Sequence, residues 1–170
     1  MPEGSWYDSQ QYEYIELYNI SPTAVTLYDP VGGPWKFTDG VDFTCPDAPS
    51  QVTMDPGEFL IVAKSPDALT SQYTIPGGVQ ILGPYDGKLA NDGEKLELSM
   101  PGDTDGQQRF YICVDRVNYS DGSHSEDCPG GVDLWPTEAD GTGKSLDRLS
   151  NIAYGNDPVN WHTTSPSPGQ

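Results

Sequence analysis

The sequence predicts an all-β fold, a β-sandwich of about eight or nine short strands with one short helix. Three observations predict it. Short runs of β-branched and aromatic residues recur, as suits a pleated, half-buried surface. Nineteen Gly and 16 Pro in 170 residues punctuate those runs with turns. Four Trp, ten Tyr and four Phe supply material for a core and argue against disorder. No repeat of 20–50 residues is visible, which argues against propellers and solenoids. The length suits one domain. Residues 1–163 are expected to form the sandwich, and 164–170 a Pro/Ser-rich linker tail.

The first strand is Tyr12-Glu-Tyr-Ile-Glu-Leu-Tyr-Asn19, with Ile15 and Leu17 inward and Tyr14, Glu16 and Tyr18 on the other parity. A second strand covers 24–28. Trp35-Lys-Phe37 is a third, with Val41-Asp-Phe-Thr44 as its hairpin mate across Asp39-Gly40. Residues 58–63 are apolar almost throughout, as in a strand buried on both faces. Ser65-Pro66 supplies an N-cap and a proline at the first helical position, so 67–73 should be one or two helical turns. Residues 79–82 form a strand, and 94–99 another with Leu96 and Leu98 inward. Residues 101–106 read as a polar hairpin loop. Residues 145–149 and 159–161 are short late strands.

The longest run of β-branched and aromatic residues is 110–119. Phe110, Ile112 and Val114 fall on one parity; Cys113, Asp115, Val117 and Tyr119 fall on the other. Apolar residues on both parities predict a central strand, or a bulge that switches faces midway. The other strands are expected to pair with this one or pack over it.

The chain carries 26 acidic and 8 basic residues, a formal net charge of −18. That charge opposes nucleic acid and anionic membrane surfaces as partners. It favours solubility or a cationic partner, a divalent metal included. The longest clean apolar run, 59–63, is far short of the roughly 20 residues of a membrane span, so no membrane insertion is expected. No basic and apolar leader opens the chain, so an export signal would lie outside it.

Three cysteines cannot all pair within one chain. A Cys113–Cys128 disulfide, closing the polar loop after the long strand, is the expected bridge, worth about 3 kcal/mol. Cys45 is then the odd thiol. The alternative is three reduced thiols. No CxxC spacing supports zinc.

The two histidines, His124 and His162, sit in loop or tail contexts, and neither HExxH nor GxSxG is present. No catalytic constellation is legible, so no enzyme is expected. Calcium is the one cofactor that the residues suggest. Asp103 and Asp105 offer hard oxygen ligands, as do Asp121, Glu126, Asp127 and Asp133, without EF-hand spacing. Solvated turn carboxylates are the plainer reading of both groups. Structural roles are expected for Glu16 and Asp115, bonding backbone or an arginine such as Arg148. They are also expected for Asn19 at the end of the first strand, for Trp35 and Trp135 as core anchors, and for Asp140 in an Asx-turn. Trp6 and Trp161 are likewise read as anchors rather than a sugar platform.

Several segments, in order, resemble the lamin tail domain family, intermediate-filament tail modules of immunoglobulin-like fold. They are Glu13-Tyr-Ile-Glu-Leu-Tyr-Asn19, Trp35-Lys-Phe-Thr-Asp-Gly40 with Val41-Asp-Phe-Thr44, and Pro56-Gly-Glu-Phe-Leu-Ile-Val-Ala63. Then come Gly87-Lys-Leu-Ala-Asn-Asp-Gly-Glu94, Asp115-Arg-Val-Asn-Tyr119, Trp135-Pro136, Asp140-Gly-Thr-Gly-Lys-Ser-Leu146 and Pro166-Ser-Pro-Gly169. Long loops, an acidic chain and the absence of coiled-coil heptads resemble the bacterial branch. One departure is that residues 1–11 do not read as the family's opening strand: either the sequence begins within that strand or an edge is left open, and an open edge invites an edge-strand-mediated dimer. The resemblance implies a non-catalytic structural or interaction module of a larger exported or cell-surface bacterial protein. Its partner would be a protein or a cell-surface component, and its location extracellular. The alternative expectation is a calcium-dependent or carbohydrate-binding adhesion module.

Overall fold

Twelve strands and one helix make up the computed structural model, which describes residues 10–128, 130–139 and 141–170. β1 (Tyr14–Tyr18) runs antiparallel to β7 (Phe59–Ala63), with Tyr14 opposite Ala63 and Tyr18 opposite Phe59. β8 (Gln80–Leu82) lies parallel on the other side of β7. The second sheet has the order β10-β9-β5, from β5 (Lys36–Asp39), β9 (Gly93–Asp105) and β10 (Gln108–Ser120). Three two-stranded pieces complete the architecture. β2 (Val25–Thr26) pairs with β6 (Thr53–Met54), β3 (Tyr28–Asp29) with β4 (Gly33–Pro34), and β11 (Ser145–Arg148) with β12 (Trp161–Thr164). The fold is an all-β sandwich with one short helix.

The main core lies between the two larger sheets. Ile15, Leu60 and Val62 meet Phe37 and Leu98, with Leu27, Val41, Cys45, Val52, Met54 and Tyr85 filling the space around them. The alternation expected at Ile15, Leu17, Leu96 and Leu98 holds, since Ile15 and Leu98 are buried and Leu17 and Leu96 pack against that core. The opposite face of β7 is covered as well. Ile61 and Ala63 pack under Leu69 of α1 (Pro66–Gln72). Leu60, Ile61, Val62 and Ala63 are all 0% exposed, as an apolar run without alternation requires. The helix starts as its residues dictate: Ser65 Oγ accepts the Ala68 N–H at 3.4 Å, and Pro66 holds the first helical position.

The hairpin expected between 35–37 and 41–44 forms. Phe37 N–H donates to Phe43 O at 3.0 Å and Cys45 N–H to Trp35 O at 2.9 Å. The expected second strand is split. At Leu27 the N–H still follows the β2–β6 register to Val52 O, while the C=O turns to accept from Trp35 N–H and the side chain is buried.

Three expectations need correction. The strand at 110–119 is not central: β10 is the end strand of its sheet. β7 takes the central place instead, because two layers cover it. The predicted midway bulge is present, with register shifts between Cys113 and Asp115 and between Arg109 and Tyr111. Residues 101–105 are not a loop but extend β9, and the turn falls at Gly106, with φ +60°. Pro101 fits there because it lies beyond Ser99, the last β9 residue with a β5 partner, so its missing N–H leaves no ladder bond unmade. Residues 164–170 are not a free tail. Thr164 closes β12 opposite Ser145, Pro168 and Gly169 are buried, and an added Cβ at Gly169 would stand 2.9 Å from the Val79 side chain.

Candidate functional site

Several polar side chains tie loops to strands. Asn19, buried at the end of β1, donates its amide to Met54 O at 2.9 Å and Thr23 O at 3.0 Å, and its Oδ1 accepts the Ser21 N–H at 2.9 Å. Glu13 accepts from the Tyr85 hydroxyl at 3.1 Å and the Leu89 N–H at 3.0 Å. Glu94 accepts from the Ala90 N–H at 2.9 Å and the Tyr119 hydroxyl at 3.0 Å. These two carboxylates hold the loop 85–92 against the sandwich. Burial first, and the facing carboxylates next, push both phenols well above the ordinary tyrosine range, so neither acts as an acid near neutrality.

Both acids expected to bond backbone or an arginine do so. Glu16 accepts the Gly169 N–H at 2.6 Å. Asp115 accepts from the Arg148 guanidinium. Arg148 also lies over the Trp161 ring, 5.2 Å from its centroid, and Trp161 packs on Trp135 at 5.9 Å between ring centroids. Trp35 packs against the main core. No Trp among the described residues is therefore left to form a sugar platform. Trp6 and Asp140 lie outside the described residues, as do residues 1–9, on which the expectation of an open first edge rests.

The expected Cys113–Cys128 bridge is absent, and all three cysteines are free. Cys113 is exposed rather than inward, and Cys45 is the buried thiol. The reason is where the loop is tied. Asp133 accepts from the Ser120 hydroxyl at 2.5 Å, the His124 N–H at 3.1 Å and the Trp135 N–H at 3.0 Å. The loop that carries Cys128 is thus fixed at the Ser120 end of β10. Cys113 lies seven residues back along the strand, about 20 Å at strand spacing, against a Cα separation of about 4.4–6.8 Å for a bridge. Asp133 does the ordering work assigned to the disulfide. Burial pushes its carboxyl up, but the bonds from Ser120, Trp135 and His124 outweigh that and hold it below the usual range. The signal was the spacing Asp133-Leu-Trp135, an Asx-turn pattern beside an anchored tryptophan.

Asp103 and Asp105 share one face of the distal part of β9, exposed, and belong to no group of three ligand-bearing side chains. The one such group among the described residues is His124, Glu126 and Asp127, with ligand atoms within 4.8 Å of one another. It lies on the surface of the loop, and Asp133, named with it as a calcium ligand, is taken up by the three bonds above. His124 Nε2 also lies 3.9 Å from Asp121. His162 is exposed on β12 opposite Asp147, remote in sequence from the other histidine.

The surface feature that stands out is apolar. Phe110, Tyr111, Ile112 and Val114 are 50%, 36%, 50% and 45% exposed on the first half of β10. Lys36 Nζ caps the Tyr111 ring at 4.0 Å, and Arg109 donates to Gly102 O at 2.8 Å. An open groove of 490 Å³ has a mixed lining, Tyr18, Ile20, Leu149 and Ile152 standing beside Asn19, Ser21, Ser150 and Asn151. The described residues include no helix long and apolar enough to cross a membrane.

Comparison of the chain with protein-family models, with curated proteins and with solved structures returned no match.

Proposed function

We propose that this chain is a non-catalytic structural or interaction module of a larger exported or cell-surface bacterial protein, of the kind the lamin tail resemblance implies. The observation that carries this reading is the apolar first half of β10, exposed at the end of its sheet and without a strand partner on its outer side among the described residues. An exposed strand edge of this composition is an aggregation hazard unless something pairs with it. The partner is a protein or a cell-surface component. The net charge of −18 favours a partner face that carries cations or is apolar, and works against nucleic acid.

The test is a screen of the intact chain against hydrolytic and group-transfer substrates. No turnover is expected. Specific turnover that vanishes on changing one carboxylate or one histidine would overturn the reading. Calorimetry with Ca²⁺ and a glycan array test the adhesion alternative in the same preparation, and saturable heat or a glycan hit would replace the present reading with that one.

A further inference from the structure

We infer that two copies of this chain pair edge to edge through β10, antiparallel, about a two-fold axis at Ile112. This deepens the interaction-module reading and rests on it.

Among the described residues, only the first half of β10 lacks a neighbour on its outer side. The second half is closed by the segment after β11: Asn156 Oδ1 accepts the Asn118 N–H at 2.7 Å, and a Cβ added to Gly155 would stand 3.0 Å from Arg116 O. These contacts show that the backbone of Arg116 and Asn118 points away from β9. Strand alternation, carried back through the one-residue bulge at Val114, turns the N–H and C=O of Cys113 and Tyr111 to the same side. The other side of the sheet agrees, because Phe37, opposite Leu98, sends its N–H away from β9 to Phe43 O. Residues 110–114 are all exposed there.

On a two-fold axis at Ile112, Tyr111 of one copy faces Cys113 of the other. Each such pair exchanges two N–H to C=O bonds, and there are two such pairs. Ile112 meets its own copy, and Phe110 meets Val114. The register shifts at Phe110 and Val114 are each two residues from Ile112, so the axis places one against the other and leaves the regular segment between them to pair. The charges fit as well. The sequence Arg109-Phe-Tyr-Ile-Cys-Val-Asp115 is antisymmetric in sign about Ile112, so each copy's Arg109 faces the other's Asp115. The Asp115 side chain is 46% exposed although it already accepts from Arg148 and from the Arg116 N–H, so its remaining lone pairs can take a further donor. Registers centred on Tyr111 or Cys113 place Cys113 or Val117 opposite Arg109, with no acid to meet it. Isologous closure of this kind gives a dimer rather than an open filament.

Two chains of charge −18 repel at long range, and salt screens that repulsion. The dimer should therefore tighten as salt rises. A basic strand docking on the same edge would weaken instead. The experiment is sedimentation velocity of the intact chain over a concentration series, in reductant so that Cys113 cannot cross-link, at about 0.05 and 0.5 M NaCl, conditions that span strong and weak screening. A concentration-dependent shift to twice the mass, stronger at high salt, is expected. Ile112→Lys puts two cations on the axis without touching the core and should raise the dissociation constant about tenfold or more. Arg109→Asp should weaken association in the same direction. Thermal melts confirm that both variants fold. A monomer at every concentration and both salts, a dimer indifferent to Ile112→Lys, or association that weakens with salt would each overturn the proposal. None of these outcomes bears on turnover, which is what decides the module reading.

Discussion

Arg148 on β11 donates its guanidinium to the carboxylate of Asp115 on β10, and the same group lies over the Trp161 ring. One side chain thus joins the β11–β12 pair to the end strand of the β10-β9-β5 sheet. Gly155 is buried beside it, because any Cβ there would meet the guanidinium at 2.3 Å. The arrangement needs a planar, forked cation that can bond a carboxylate and stack on a ring together, which lysine is not. Arg148→Lys should cost about 1–2 kcal/mol, the range of a partly exposed charge-assisted bond plus a cation–π contact. Urea unfolding measures it, and a change within about 0.5 kcal/mol would mean the pair is only a surface ion pair.

The centre of the fold is β7, and β10 is its edge. Ile61→Ala should therefore cost about 2–5 kcal/mol, since the side chain is fully buried against Leu69 and its loss leaves a cavity. Ile112→Ala, on the longest apolar run of the sequence, should stay within about 0.5 kcal/mol in the monomer. Chemical denaturation of both variants at low protein concentration compares them directly.

Free thiols predict an order of reaction. Cys113 is exposed and Cys128 half-buried, whereas Cys45 is buried with its thiol pushed up to about 12 by desolvation. A thiol reagent should label Cys113 and Cys128 in the native protein and Cys45 only on unfolding. Under denaturing, non-reducing conditions all three should be labelled. Protection of Cys113 and Cys128 in that state would restore the disulfide.

Asp133 should be the tie of the loop after β10. Asp133→Ala removes three hydrogen bonds and leaves two backbone N–H groups to find water. Limited proteolysis should then cut within residues 120–128 well before any other site. Cleavage elsewhere first, at the wild-type rate, would show that the loop is held by other contacts.

Glu16 should make the stability pH-dependent. Desolvation raises its pKa above the ordinary 4.5, Asp147 adds to this, and the Gly169 N–H opposes it without reversing it. A carboxyl raised in the folded state binds its proton more tightly there than in the unfolded chain. Its contribution is therefore most favourable at low pH and falls as pH rises through 4.5 and the folded value. Glu16→Gln keeps an acceptor for Gly169 and removes the charge. The variant should gain stability relative to the wild type as pH rises from about 4 to 7, with the two converging at the acid end. Parallel unfolding midpoints across that range would show that Glu16 titrates as it does in the unfolded chain.

Strand content, the single helix and much of the core were legible in the chain itself. Ser65-Pro66 announces a helix start because capping is local, and Ile15, Leu96 and Leu98 announce their faces because strand alternation is local. The unbroken run at 59–63 marks a doubly covered strand, since no sheet strand with a wet face is written that way. The Arg148 partner of Asp115 was also within reach, because a half-buried acid in a strand needs a donor and basic residues are few.

Tertiary structure alone decided the rest. An apolar run on both parities looks the same in a central strand and in an unpaired edge, so sequence could not show that residues 110–114 face solvent while 59–63 lie at the centre. Nor could it show that Asp133 rather than a disulfide holds the loop, because partner choice depends on which end of β10 that loop returns to. The same holds for the chain end, where Pro and Gly read as a linker. Pro168 and Gly169 are buried there only because β12 delivers them to the sandwich, Gly169 beside Val79, a placement that no local pattern encodes. Sequence determines what each segment prefers locally, and the packing of segments far apart in the chain determines which of those preferences meets a neighbour and which meets water.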